Sequence, residues 1–256
     1  MNSSFLSGKL ALVTGGSGTI GQAIAKSLLS SGASVVLTAR GLEKLEAAKE
    51  KLLESIHLRG ADAPHVNVHV ISSDVSKEAS VVELFKKIDD LSTGVDLLIN
   101  NAGTMVPGPT VDLSASDMER VLSVNVVGPF LCAREAMKRM KVAGGGRIIN
   151  IASISSMSPR PDGVTYTTSK FAIQGLSRSL ALDGRQHNIA VGAIHPGNVV
   201  SELLSPEVIA EREATEGFIQ PEDVATCVLT MANLPYSANI LDMTVIPTKQ
   251  PFVGRG

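Results

Sequence analysis

An α/β fold is predicted, a single domain built on a doubly wound parallel sheet of seven strands with helices on both faces. Three observations carry that expectation. Short runs rich in Val, Ile and Leu alternate with helical patterns along the whole chain, the signature of repeated β-α-β units. A glycine-rich octet, TGGSGTIG at residues 14–21, stands between the first such run and the first helical pattern. A length of 256 residues suits one large sheet better than two domains.

The elements follow in order. The first strand is read at 9–14 (KLALVT) and leads through the octet into a helix at 20–31; the second, 34–38 (SVVLT), precedes a helix at 42–56. A third strand at 66–71 (VNVHVI) is followed by a helix at 77–91, and a fourth at 95–100 (VDLLIN) by one long helix within 115–141. Strands at 147–152 (RIINIA) and 189–194 (IAVGAI) flank a helix at 164–184, and a strand at 240–246 (ILDMTVI) follows a helix at 221–233. That last helix opens on Pro221, Glu222 and Asp223, where proline suits the first turn and acids suit the helix dipole. The least regular stretch is 197–220, and a long connection there is expected to be a substrate lid.

Bulk properties narrow the partners. With 23 basic and 25 acidic residues the net charge is −2, and the basic residues are scattered, so no nucleic-acid footprint exists. The start MNSSFLSGKLALVTGG lacks a basic segment followed by an apolar core, no apolar run reaches membrane-spanning length, and the ending PFVGRG is no Ser-Lys-Leu address. A cytoplasmic protein with a small-molecule partner is expected. Cys132 and Cys227 lie in apolar segments without metal-ligand spacing, so buried free thiols and no metal site are expected.

The octet admits three readings. Gly16, Gly18 and Gly21 spell G-x-G-x-x-G, Gly15, Gly18 and Gly21 spell G-x-x-G-x-x-G, and Thr19 interrupts a third pattern, G-x-x-x-G-x-G from Gly15. Its place between strand and helix offers free N–H groups and the positive helix end to a phosphate. A P-loop is excluded, because no Gly-Lys-Ser or Gly-Lys-Thr follows. The second strand ends in Thr38-Ala39-Arg40, which places a base where the 2′-phosphate of NADP would lie and no acid where an NAD ribose would be held. Asp74, closing the third strand, could accept from an adenine amino group or cap a turn.

The stretch INIASISSMSPRPDGVTYTTSK supplies the chemistry. Tyr166 and Lys170 are four residues apart, which on a helix sets ammonium and phenol on one face. A free phenol has a pKa of ~10, and an adjacent cation would lower it toward a useful range for proton transfer. With Ser153 thirteen positions before Tyr166, with Asn100-Asn101-Ala102-Gly103, with N-x-x-G from Asn125 and with the Pro196-Gly197 turn, the chain resembles the short-chain dehydrogenase/reductase family in its compact, single-domain, Rossmann-type branch.

That resemblance implies roles residue by residue. Tyr166 would be the general acid/base, Lys170 would lower its pKa and bond the nicotinamide ribose, Ser153 would polarise the substrate carbonyl, and Asn125 would hold a water of a proton relay. The cofactor would lie along Gly15, Ser17, Gly18, Thr19, Ile20, Gly21, Arg40, Asp74, Val75, Asn101, Ala102, Gly103, Tyr166, Lys170, Pro196, Gly197 and Val199. Ser155 and Ser156 rival Ser153 but miss its spacing, and His195 is assigned a structural role. Thr19 replaces the middle glycine of the branch pattern, while Gly18 matches the extended branch instead.

The function so implied is an NADP(H)-dependent oxidoreductase interconverting a carbonyl and a primary or secondary alcohol, acting as a homo-oligomer. A ketoreductase of acyl-carrier-protein substrates is the alternative, weakened by the absence of a Val-Asp-Gly-Gly-like ending. A catalytically inactive cofactor-binding regulatory protein is the alternative from another class.

Overall fold

The computed structural model describes residues 5–57, 67–91 and 94–252. Seven strands form one sheet in the order β3-β2-β1-β4-β5-β6-β7. They are β1 Leu10–Thr14, β2 Ser34–Ala39, β3 Val68–Ser72, β4 Leu97–Asn100, β5 Gly146–Ile151, β6 Ile189–Pro196 and β7 Asp242–Val245. Every pairing is parallel. The expected strand start at Val66 lies outside the described residues, as do the last four residues of the PFVGRG ending.

Successive strand residues feed opposite layers, which is why these strands read as continuous apolar runs rather than alternating ones. Ala11, Val13, Val35, Leu37, Leu97 and Ile99 pack on one side with Ile24 and Leu28 of α1 (Thr19–Ser30), Leu45 of α2 (Leu42–His57) and Val228 of α8 (Pro221–Ala232). Leu10, Leu12, Val36 and Leu98 pack on the other with α3 (Glu78–Leu91), which offers Val81, Leu84, Phe85 and Ile88 at helical spacing. Leu131 of α5 (Gly128–Ala143) and Leu180 of α6 (Val164–Gly184) complete that layer. Each large aliphatic side chain so buried contributes ~1.5–3 kcal/mol before entropy is charged against it.

Two expectations need correction. The long helix expected within 115–141 is α4 (Ala115–Leu122), a π-helical turn at Ser123–Val127, and α5. The π turn leaves the apolar period of the sequence nearly undisturbed, so periodicity could not reveal it. The stretch 197–220 contains a further helix, α7 (Pro206–Thr215), with Ser205 accepting from the Val208 N–H and proline in the first turn. Ser-Pro-Glu was the available signal. No residue of α7 is fully buried, so no core-facing stripe advertised it.

The order of the sheet positions the site. The chain winds outward from β1 to β3 and then returns past β1 to β4, so the connections diverge above the carboxyl ends of β1 and β4 and leave a crevice.

Candidate active site

The octet emerges from β1 into that crevice. Gly15 has a φ of +64°, which glycine adopts without strain, and Thr14 Oγ accepts from the N–H groups of Asn101 and Ala102, both at 3.0 Å. The Asn101 amide returns two bonds, to Thr14 O at 3.0 Å and Gly15 O at 3.2 Å. Asn101 and Ala102 thus bolt the glycine turn to the end of β4. At Gly21 a Cβ would collide with Gly15 O, so that glycine is demanded by the turn itself.

Gly18 differs. Its backbone is extended (φ −83°, ψ 165°), and the nearest atoms to an added Cβ, Glu202 Oε2 and Gly15 O, stand at 3.5 Å, ordinary contact distance. The turn itself therefore does not demand glycine at 18, and the missing side chain leaves the backbone open to close approach by a ligand. The start of α1 already favours anions: Glu202 accepts from the Thr19 N–H at 2.7 Å and from the Thr19 hydroxyl. Burial pushes the Glu202 carboxyl up, but the Thr19 hydroxyl and N–H more than offset it and hold the group below its ordinary range. Glu202 is a stand-in anion on the cradle, and residues 15–21 fit a dinucleotide pyrophosphate. Gly18→Val should fold with near-native stability yet lose at least ~10-fold in affinity for NADPH, since one charge-assisted bond contributes that much. Fluorescence titration and a urea melt read the two properties, and unchanged affinity would mean that the turn meets no phosphate.

Further along the same crevice, Arg40 is exposed just past β2 with Lys44 of α2 beside the opening. Asp74 Oδ1 accepts from the Ser76 N–H (3.0 Å) and Ser76 hydroxyl (2.7 Å), so this carboxylate closes the turn ahead of α3 while facing the crevice. Val75 is buried against Gly128, where an added Cβ would stand 3.0 Å from its methyl.

The crevice encloses about 1120 Å³ and runs from the octet past Asn101–Gly103 to Ser153, Tyr166 and Lys170, with Pro196, Gly197 and Val199 on its floor. Every expected cofactor-contact residue lines it. Ser153 stands just after β5, its hydroxyl accepting from the Ser155 N–H at 3.1 Å. Lys170, on α6 one turn beyond Tyr166, has its ammonium 5.3 Å from the phenol ring centre and donates to Ile151 O at 2.9 Å.

The electrostatics depart from the expected direction. Burial pushes the Tyr166 phenol above its ordinary 10.0, with a hydrogen bond to Ser153 opposing. Burial likewise pushes Lys170 from 10.5 down to about 8. Desolvation penalises both charged forms, and in the free protein it outweighs the attraction of a cation seated over the ring rather than at the oxygen.

That depression has a stability consequence with a definite sign. A lysine whose folded pKa is about 8 costs stability below that pH, and the cost fades as pH rises toward the unfolded value near 10.5, because there the unfolded chain binds more protons. Lys170→Met should stabilise the free protein at pH 7 by ~2–3 kcal/mol, less a share for the lost bond to Ile151 O, and by much less at pH 10. Urea unfolding at both values checks it; a gain that ignores pH would place the lysine in water.

Asn125 does not line the crevice. It is buried within the π turn, its amide hydrogens donated to Thr104 O (2.8 Å) and Ser169 Oγ (3.0 Å), its carbonyl accepting from the Thr104 N–H (2.8 Å). The side chain fixes the segment after Gly103 and has no N–H left for a water. His195 is fully buried and joins Ser156 Oγ (2.6 Å) and Ser153 O (3.2 Å) to Asp242 Oδ1 (3.0 Å). It braces the Ser153 loop against β7.

Of the two cysteines only Cys132 is fully buried, its thiol pushed up to about 12 by desolvation; Cys227 is half-buried. Among the described residues no cluster could hold a metal ion, and no helix is long and apolar enough to cross a membrane. Sequence reasoning missed Lys44, Arg160, Glu202 and Arg212, which also line the crevice. Only the fold brings them there, and no spacing rule announces them.

The sequence and the fold both match known proteins. Residues 9–211 match the short chain dehydrogenase family. The 3-oxoacyl-(acyl-carrier-protein) reductase of Aquifex aeolicus is 32% identical over 234 residues, 89% of this chain and 91% of that one. A metagenomic short-chain oxidoreductase crystallised in complex with NADP superposes with a TM-score of 0.80 at 32% identity, covering 96% of this chain and 99% of that one. The 3-ketoacyl-(acyl-carrier-protein) reductase of Brucella melitensis, complexed with NADH, gives 0.83 at 26% identity over 95% and 99%. The chain belongs to the short-chain dehydrogenase/reductase family of oxidoreductases.

Proposed function

We propose that this oxidoreductase is NADP(H)-dependent, belongs to the compact branch of its family, and interconverts a carbonyl and a primary or secondary alcohol. The observation that carries the reading is the meeting of Ser153, Tyr166 and Lys170 in one crevice whose far end holds the glycine turn and Arg40. The dinucleotide, when bound along residues 15–21, 40, 74–75 and 101–103, supplies or accepts the hydride. The chain's own residues do the rest. Ser153 donates to the substrate oxygen and orients the carbonyl, and Tyr166 gives that oxygen its proton in reduction and takes it back in oxidation. Lys170, held by Ile151 O, is placed to bond the nicotinamide ribose and to stabilise the phenolate when Tyr166 has given up its proton. Asn125 acts by positioning the segment after Gly103, and a relay water beside it would donate to an oxygen, since both amide hydrogens are already given to Thr104 O and Ser169 Oγ.

The segment 197–220 acts as the lid. Its ends are tied by a bridge between Val199 and Ile219, and α7 and Glu202 hang over the crevice between them. Exposed Phe130 on α5 and Phe171 on α6 favour self-association through these helices. Two of the relatives are reductases of acyl-carrier-protein substrates, which supports that activity as the second reading; the ending ILDMTVIPTKQPFVGRG lacks its usual motif. Oxidation of NADPH measured against aldehydes, small ketones, oxo acids and an acetoacetyl carrier protein tests both. No turnover with any of them would favour an inactive cofactor-binding protein instead.

A further inference from the structure

At the end of the crevice away from Arg40, two guanidinium groups converge on one amide oxygen. Arg160, in the loop leading to Gly163 and α6, donates to Asn198 Oδ1 at 3.4 Å, and Arg212, on α7, donates to the same oxygen at 3.5 Å. Asn198 is buried, its amide nitrogen bonded to Glu216 Oε2 (2.8 Å) and Gly217 O (3.2 Å), so the oxygen is held in place. The two cations are not balanced alike. Glu216 takes Arg160 in a two-pronged pair, at 3.0 and 2.5 Å, and is itself held by Gln250 at 3.1 Å.

Arg212 receives no such partner. Among the described residues it makes no ion pair, and its side chain has the single long bond to Asn198; Glu216 and Glu211 act on it only from further off. Burial and the neighbouring Arg160 push its guanidinium below the ordinary range, the mark of a cation drawn from water without an anion in contact. Arg160, Arg212 and Glu216 together leave one net positive charge. It faces the same crevice as Tyr166, whose lining also includes the apolar side chains of Leu203, Leu204, Val208 and Met105.

We propose that Arg212 binds a carboxylate of the substrate, so that the enzyme's substrates are oxo acids and their hydroxy acids with an apolar body. A guanidinium that faces a largely apolar cleft, is partly desolvated and keeps its fork free matches a carboxylate in two parallel bonds, and a neutral ester cannot replace that. Arg160, already neutralised, would position Asn198 and, through it, Arg212. The inference rests on the carbonyl reductase reading and narrows its substrate class.

The test compares 2-oxobutanoate, 4-oxopentanoate and 5-oxohexanoate, each with its methyl ester, in the unmodified enzyme, Arg212→Gln and Arg212→Lys. At least one acid should exceed its ester in kcat/KM by ~10-fold or more, a preference lost in Arg212→Gln through a raised KM for the acid and partly kept in Arg212→Lys. The readout is the acid-to-ester ratio, in which a general loss of activity in a variant cancels, and a thermal melt of each variant checks the fold. Equal acid-to-ester ratios in the unmodified enzyme and Arg212→Gln overturn the inference while leaving the reductase reading standing. So does a weakened affinity for NADPH in Arg212→Gln with the ratio unchanged, since Arg212 would then serve the cofactor. A phosphate monoester of a hydroxyketone bound better than any acid would reassign the site to phosphate. Should neither acids nor esters turn over, the reductase reading fails, and thermal stabilisation by 3-hydroxybutyrate against its amide, with and without Arg212, decides the carboxylate site alone.

Discussion

Tyr166→Phe should lower kcat by ~10²- to 10⁴-fold while leaving the affinity for NADPH nearly unchanged, because it deletes one hydroxyl and keeps the ring. The two readouts separate because the phenol and the glycine turn occupy different stretches of the crevice. The ring also carries the ammonium of Lys170 over its face at 5.3 Å, and Phe preserves that contact, so the variant should fold normally. Steady-state kinetics on whichever carbonyl the enzyme reduces, with a parallel titration of NADPH, measures both. Turnover within a few-fold of the unmodified enzyme would remove Tyr166 from the reaction, leaving Ser153 as the only hydroxyl beside the substrate oxygen in this mechanism.

The second large effect concerns cofactor choice. NADPH should exceed NADH in kcat/KM by ~10- to 100-fold, since a hydrogen bond to a charged group contributes ~1.5–3 kcal/mol and Arg40 offers such bonds to a 2′-phosphate. Arg40 is exposed, so the preference should sit toward the lower end and shrink as salt is added. Exchanging Ala39→Asp together with Arg40→Leu should reverse the order, because a carboxylate at 39 would accept from an NAD ribose and repel the phosphate. Lys44 lines the same end of the crevice and retains some attraction for the phosphate in that variant. Adding Lys44→Ala should therefore complete the reversal. Equal use of the two cofactors by the unmodified enzyme, or an unaltered ratio in the double variant, would show that Arg40 is only a solvated side chain.

Much of this was legible in one dimension. The inner parallel strands are buried on both faces and announce themselves as apolar runs, and with the shorter signals of the edge strands β3 and β7 all seven appeared within two residues of their observed bounds, and α6 at its full extent. The residues of the proposed cofactor site were legible because backbone chemistry restricts them: a turn that needs Gly15 and Gly21, a helix start, a strand end followed by Arg40. The pair Tyr166 and Lys170 was legible because four residues on a helix are one turn.

What local pattern does not encode stayed hidden. The π turn at Ser123–Val127 holds Asn125 in the interior, where its side chain braces Thr104, and no local pattern announced that bond. Helix α7 buries no face of its own and gave no periodic signal. The direction of the Tyr166 and Lys170 shifts depends on how much protein surrounds each charge, a sum over the whole fold that spacing cannot supply.

By itself, then, the sequence determined the strands and most helices, the glycine turn proposed as a phosphate cradle and the Tyr166–Lys170 pair proposed for proton transfer, because each is written in a pattern no longer than one element or one strand-helix junction. Only the tertiary structure decided which charges meet across the crevice. Glu202 reaches Thr19 across 183 positions and Arg160 reaches Glu216 across 56, and bonds of that span depend on chain folding rather than chain order. The same physics left Arg212, among the described residues, with no carboxylate in contact, a fact that no local reading of α7 contains.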